Sequence, residues 1–301
     1  MQVTNKTIYN DYECTKIEND SIALWVTNQV GPRVLGLQLN GGENLFAELP
    51  EAVIECPGVG EYKLRGGHRL WQAPENPRIT YLPDDDPVTI TETPEGVKFT
   101  QPAERQTGIE KSIRISLSHQ KSEVNLEHQL KNLGQETVEL AAWAITQLKP
   151  GGTAILPQSR ELADKYGLLP NRQIGLWPYT QVNSPHITWG DRYIFVHANM
   201  VEGALKIGFP NPVGWIGYLR DKVMFVKQAD YLPEQDYYDF NSSSECYCNP
   251  SFLELETLGQ QTILEPGETL SHRETWRVYD RIDSEITENS IQELITELGI
   301  Y

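Results

Sequence analysis

Apolar and polar positions alternate with a period of two over short stretches of this chain, and Gly, Pro, Asn and Asp repeatedly interrupt them. Ser21–Thr27 (SIALWVT) and Arg33–Leu39 (RVLGLQL) read as strands around a turn at 28–32, and Asn40-Gly41-Gly42 follows as a hairpin signal. Val88–Thr93 and Gly96–Gln101 frame another turn at Pro94-Glu95. The clearest predicted hairpin lies mid-chain. There Glu123–Lys131 alternates through Val124, Leu126, His128 and Leu130, Asn132-Leu133-Gly134 turns, and Thr137–Leu148 returns. Tyr193–Asn199, Leu205–Gly208, Trp215–Tyr218, Lys222–Lys227, Phe252–Thr257 and Leu270–Tyr279 continue the series.

The best helical signal is Ser284–Leu298. Ser284 or Thr287 can cap it, Ile286, Ile291, Leu294 and Ile295 share an apolar face, and Gly299 stands where a helix stops. Many short strands with one terminal helix predict an all-β sandwich or barrel. With no internal repeat, low-complexity tract or linker, residues 1–301 read as one domain.

Composition narrows the function classes. At 301 residues, an all-β unit buries enough surface to need no disulfide or metal staple. No stretch approaches the roughly 20 apolar residues needed to cross a bilayer. Residues 1–6 lack the features of a signal peptide, so a cytoplasmic location is expected. The net charge of −17 argues against nucleic acid and anionic membrane as partners, since both require a basic footprint. A neutral small molecule fits better, and the plain alternative is that the acidity only keeps the protein soluble. Cys246-Tyr247-Cys248 is not the CxxC of a zinc or redox site; on a strand both thiols point to one face.

Two constellations carry chemistry. Leu64-Arg65-Gly66-Gly67-His68-Arg69-Leu70-Trp71-Gln72-Ala73-Pro74-Glu75 combines glycines that permit close backbone approach with an imidazole, guanidinium forks and an indole. A structural turn is the alternative. Phe252-Leu253-Glu254-Leu255-Glu256-Thr257 places Glu254 and Glu256 on one strand face, about 7 Å apart, where mutual repulsion can tune one as an acid or base. A solvent-facing strand edge is the alternative there. Lys206, on a strand before the loop Pro210-Asn211-Pro212, and Arg220 and Lys227 on neighbouring strands are further polar candidates that also read as solvated surface charges. Asp84-Asp85-Asp86 reads as a solvated loop, and His119 and His128 as structural. No metal-ligand spacing, GxSxG, GxGxxG or P-loop is present, so neither metal nor cofactor is expected.

These residues resemble a family. Asn249–Thr257, followed by Leu264-Glu265-Pro266-Gly267-Glu268-Thr269-Leu270, is similar to the C-terminal signature of galactose-mutarotase-like proteins, in which a strand ending in Glu-Thr-Gln carries the catalytic base. Leu130–Leu140 resembles the family's Asn-x-Gly element. Arg65-Gly66-Gly67 through Pro74 is similar to a segment of hexose-6-phosphate epimerase relatives, and Gly66–Glu75 looks closest to the uncharacterised DUF4380 branch. The resemblance implies a galactose-mutarotase-like supersandwich with a short C-terminal helix at about 284–298. It also implies a small-molecule carbohydrate as partner. It points to Glu256 as base, with Glu254 second, and to His68 or Arg69 assisting the ring oxygen. Arg65, Arg69, Trp71, Lys206 and Asn211 would contact substrate. One departure stands out: Trp143, in Ala142–Leu148, stands near the position of the family's proton-donating His. The reading is therefore an aldose 1-epimerase-like protein, with a non-catalytic carbohydrate-binding module or a glycoside-processing or lyase enzyme on an acidic sugar as alternatives. No oligomeric state follows from the sequence.

Overall fold

The computed structural model describes residues 1–300. Two antiparallel sheets, one of twelve strands and one of ten, pack face to face. The middle of the larger sheet runs Val34–Leu39, Gly60–Ala73, Val138–Leu148, Leu253–Leu258, Ser244–Cys248, Leu205–Phe209. The smaller sheet has Trp215–Arg220, Val223–Ala229, Thr269–Tyr279, Glu123–Asn132 and Ile109–Leu117 at its centre. Between the layers, inward residues of the two sheets interdigitate, and Phe46, Phe225 and Trp276 meet edge to face.

The larger sheet is covered on both faces at its centre. Leu253–Leu258 is buried at every position, as is Val138–Leu148 from Leu140 onward. That explains why its outward residues need not be polar, and why one outward patch can form a sheltered site.

The mid-chain hairpin is not a hairpin. Glu123–Asn132 pairs with Ile109–Leu117 and Thr269–Tyr279 in one sheet, whereas Val138–Leu148 pairs with Gly60–Ala73 and Leu253–Leu258 in the other. Residues 133–137 therefore carry the chain across the sandwich. Two strands that bury one face in a common core show the same alternation whether they lie side by side or face each other, so periodicity does not separate the cases. Asn40-Gly41-Gly42 does turn, with Gly42 N–H donating to the Leu39 carbonyl. The chain then continues to an isolated bridge between Phe46 and Leu148 rather than pairing back.

The Arg65–Pro74 segment lies largely within a strand of 14 residues, Gly60–Ala73, bent at Gly66-Gly67. Before the bend the strand pairs with Glu48–Cys56; after it, with Val138–Leu148. Both glycines have positive φ, and a Cβ at Gly66 would stand 2.0 Å from the Ala47 carbonyl oxygen, one at Gly67 2.1 Å from that of Val34. The terminal helix is Glu288–Leu298. Thr287 caps it by accepting the Ser290 N–H, and Gly299 ends it in the left-handed region. Its Ile291, Leu294 and Ile295 pack on the outer side of the smaller sheet against Tyr193, Phe195 and Trp215. Among the described residues no helix is long and apolar enough to cross a membrane.

Candidate functional site

Register assembles the site. Arg69 and Glu256 both pair with Ile145, Trp71 pairs with Trp143, Gln147 and Tyr247 both pair with Glu254, and Lys206 pairs with Tyr247. Residues directly opposite one another share a sheet face, so these side chains share the outward face of the larger sheet. Of these, Arg69, Trp71, Trp143, Lys206, Tyr247 and Glu254, together with Tyr81, Tyr179 and Phe252, wall a cavity of about 580 Å³, whose charged lining is Arg69, Glu75, Lys206 and Glu254. A groove of about 660 Å³ beside the terminal helix brings no buried charged side chain with it.

Glu254 is the carboxylate that lines the cavity. Its Oε1 accepts from Arg69 Nη2 and from Gln147 Nε2, both at 3.0 Å, and the Arg69 guanidinium stacks over Trp71 at 4.1 Å. Burial pushes the Glu254 carboxyl above its ordinary range, Arg69 pulls it back, and Glu256 adds to the rise. Trp71 packs edge-on against Tyr81 and Trp143. The Tyr81 hydroxyl donates to Glu75.

Glu256 lies deeper and is fully buried. Its Oε2 accepts from Trp143 Nε1 at 2.6 Å and from Lys206 Nζ at 2.9 Å, and its Oε1 has no hydrogen-bond partner. An indole N–H thus holds the carboxylate from near the position where the resemblance would place an acid. Lys206 Nζ also lies 2.7 Å from Glu245 Oε2 and sits between the Trp143 and Trp177 rings, 4.6 and 4.7 Å from their centroids. Burial alone would lower the Lys206 ammonium, but Glu245 and Glu256 hold it well above the usual lysine value. Lys206 is therefore a buried counter-ion rather than a solvated charge. Trp177 and Tyr179 arrive on the excursion 158–186. Thr180 fastens it by exchanging hydrogen bonds with the backbone N–H and carbonyl of Lys206.

Four sequence candidates lie elsewhere. His68 precedes Arg69 on a strand and so points to the opposite face, into the core. Its ring contacts Thr146 Oγ1 at 2.9 Å and His128 Nε2 at 2.8 Å. It cannot face Glu256 across a bound ligand, and burial, with His128 and Lys227 nearby, holds it well below the usual imidazole value. Arg65 is buried with Arg33 around Asp84, which also corrects the reading of 84–86 as a wholly solvated loop. Asn211 is buried, bonding the Trp215 carbonyl and Ser244 Oγ to close a turn. Lys227, read as a surface charge, is fully buried between the sheets and paired with Glu274 at 2.9 Å.

The donor atoms of His68, His128 and Glu274 lie within 4.8 Å of one another, the one described group with metal-ligand spacing. The two imidazoles bond each other and the Lys227 ammonium engages Glu274, so these donors are already committed. The sequence reading missed Tyr81, Tyr179, Trp177 and Glu245. Of the other residues it passed over, Tyr247 was accessible: two inward cysteines at 246 and 248 require an outward residue between them.

No sequence family and no curated protein matches the chain. Solved structures do. A TPR-domain containing protein from Parabacteroides distasonis matches with TM-score 0.62 and 14% identity over 92% of this chain, which spans 50% of that protein's length. A protein described as a candidate aldose 1-epimerase from Klebsiella pneumoniae matches with TM-score 0.58 and 10% identity, over 99% of this chain and 86% of that one. A galactose mutarotase-like protein from Lactobacillus casei matches with TM-score 0.55 and 11% identity, over 88% of this chain and 99% of that one. At these identities the likeness is one of fold.

Proposed function

We propose that this chain, whose fold is the galactose-mutarotase-like sandwich, binds a sugar ring in the aromatic-walled cavity. The observation that carries the reading is the Arg69–Glu254 pair set into a wall of Trp71, Tyr81, Tyr247 and Phe252. A pyranose offers apolar C–H faces and a rim of hydroxyls. Aromatic rings take the faces, and a carboxylate beside a guanidinium accepts from and donates to neighbouring hydroxyls. Calorimetry with D-glucose, D-galactose, their amines, uronates and 6-phosphates tests it. At least one should bind, and Arg69→Ala should weaken that binding roughly 10- to 100-fold, since a hydrogen bond to a charged group contributes about 1.5–3 kcal/mol. Absence of binding to every sugar would overturn the reading.

A second reading is aldose anomer exchange, and the raised Glu254 carboxyl favours it. Glu254 would take the anomeric hydroxyl proton as the C1–ring-oxygen bond breaks and C1 becomes a carbonyl. The ring oxygen would take a proton from a solvent water, which the proton now held by Glu254 restores, with Arg69 beside it to balance the developing charge. Glu254→Gln should then slow exchange by about two to four orders of magnitude while sugar affinity survives. Exchange by the wild-type protein no faster than in buffer leaves the binding reading alone.

A further inference from the structure

The charge balance of the cavity points to its ligand class: we infer that it takes a sugar carrying a protonated amine, a free hexosamine, in preference to sugar phosphates and uronates. The inference rests on the sugar-binding reading above and concerns which sugar. Each cation of the site already has a carboxylate counter-ion. Arg69 is paired with Glu254 through Nη2, its Nε and Nη1 being buried without a partner, and Lys206 is shared between Glu245 and Glu256. Asp239 adds a further carboxyl beside Glu245, carried there by a left-handed turn over Asp239–Asn241. Glu75 lines the same cavity, and among the described residues it has a phenol as partner but no cation. An incoming phosphate or carboxylate therefore finds no free positive charge and must approach Glu75. An ammonium finds the reverse.

The walls favour the same class. Indole and phenol faces attract cations through their quadrupoles, most strongly where water is excluded. The site already uses this for two of its own cations, Arg69 over Trp71 and Lys206 between Trp143 and Trp177. Tyr81 joins the two features. Its ring packs on Trp71 at 5.2 Å and its hydroxyl holds Glu75, so a carboxylate is fixed beside an aromatic face at the exposed side of the cavity. A bare metal ion is a poorer match, because the described group with metal-ligand spacing lies in the core on the other side of the sheet.

The test is calorimetry at neutral pH with D-glucosamine and D-galactosamine. The parent hexoses, the matching uronates and the 6-phosphates run alongside. Wild-type protein should bind at least one amine roughly tenfold tighter than its parent hexose, and the anions most weakly, as one charge–charge contact in a partly wet site allows. Glu75→Gln should reduce glucosamine affinity more than glucose affinity, narrowing that ratio. An anion binding as tightly as the amine, or an amine no tighter than its parent hexose, overturns the inference while leaving sugar binding intact. An unchanged ratio in Glu75→Gln overturns it through Glu75. Failure of every sugar to bind overturns both readings together.

Discussion

Lys206 shows how much rests on a single side chain. Its ammonium is the shared counter-ion for Glu245 and Glu256, neither of which has measurable access to water. Burial lifts the Glu245 carboxyl well above its ordinary range, and Lys206 is the main opposing influence. Lys206→Met should therefore cost on the order of 3–5 kcal/mol, as breaking a buried pair does by stranding its partner. Adding Glu256→Gln should recover part of that loss, and urea denaturation of the single and double variants checks it. A Lys206→Met protein as stable as wild type would mean both carboxyls are protonated. The sequence named Lys206, Glu254, Glu256, Arg69 and Trp71 but not their depth. Single-strand alternation orders residues by face; which of two same-face carboxylates reaches a cavity depends on the covering loops.

At the scale of the element, the double-glycine bend decides where Arg69 and Trp71 end up. It lets one strand leave Glu48–Cys56 and join Val138–Leu148, and neither position has room for a Cβ. Gly66→Ala should cost more than the about 1 kcal/mol typical of positive φ alone, because a carbonyl oxygen would have to move. Chemical denaturation measures the loss, and an unshifted midpoint would show that the bend relaxes freely. Thr287→Ala at the terminal helix should cost only about 1 kcal/mol by removing the cap, with the cavity unaffected. Turns, glycines and the helix cap were readable because their chemistry is local. The crossover at 133–137 was not, because pairing partners are fixed by residues far along the chain.

For the whole molecule, polar groups between the sheets set the acid limit. His68, His128 and His272 are all buried and all held below the usual imidazole value, His272 at about 3. Below the ordinary imidazole pKa of about 6.5 the unfolded chain takes up protons that the folded one refuses, so stability falls as pH falls. Glu274, held low against its burial by Lys227, adds the same sign: its contribution disappears as pH drops through its folded value. The unfolding free energy from urea titration should decline below pH 6.5, by up to about 1.4 kcal/mol per pH unit for each histidine. A flat profile down to pH 5 would mean that these imidazoles are hydrated. Calorimetry above that range should show one transition if residues 1–301 form one cooperative unit, as the length and pattern suggest. The arrangement of the cavity floor also bears on the order of assembly. Arg69 and Glu254 are 185 residues apart in the chain and Trp143 and Glu256 are 113 apart, yet each pair is in hydrogen-bond contact. Loops of that length must close before such contacts repay them, which places this topology among slow folders, in milliseconds to seconds or longer. In refolding from urea, β-sheet circular dichroism should therefore return before sugar-induced tryptophan fluorescence does. A chain interrupted late in synthesis, before residue 253, would hold Arg69 and Trp71 and still have no binding site.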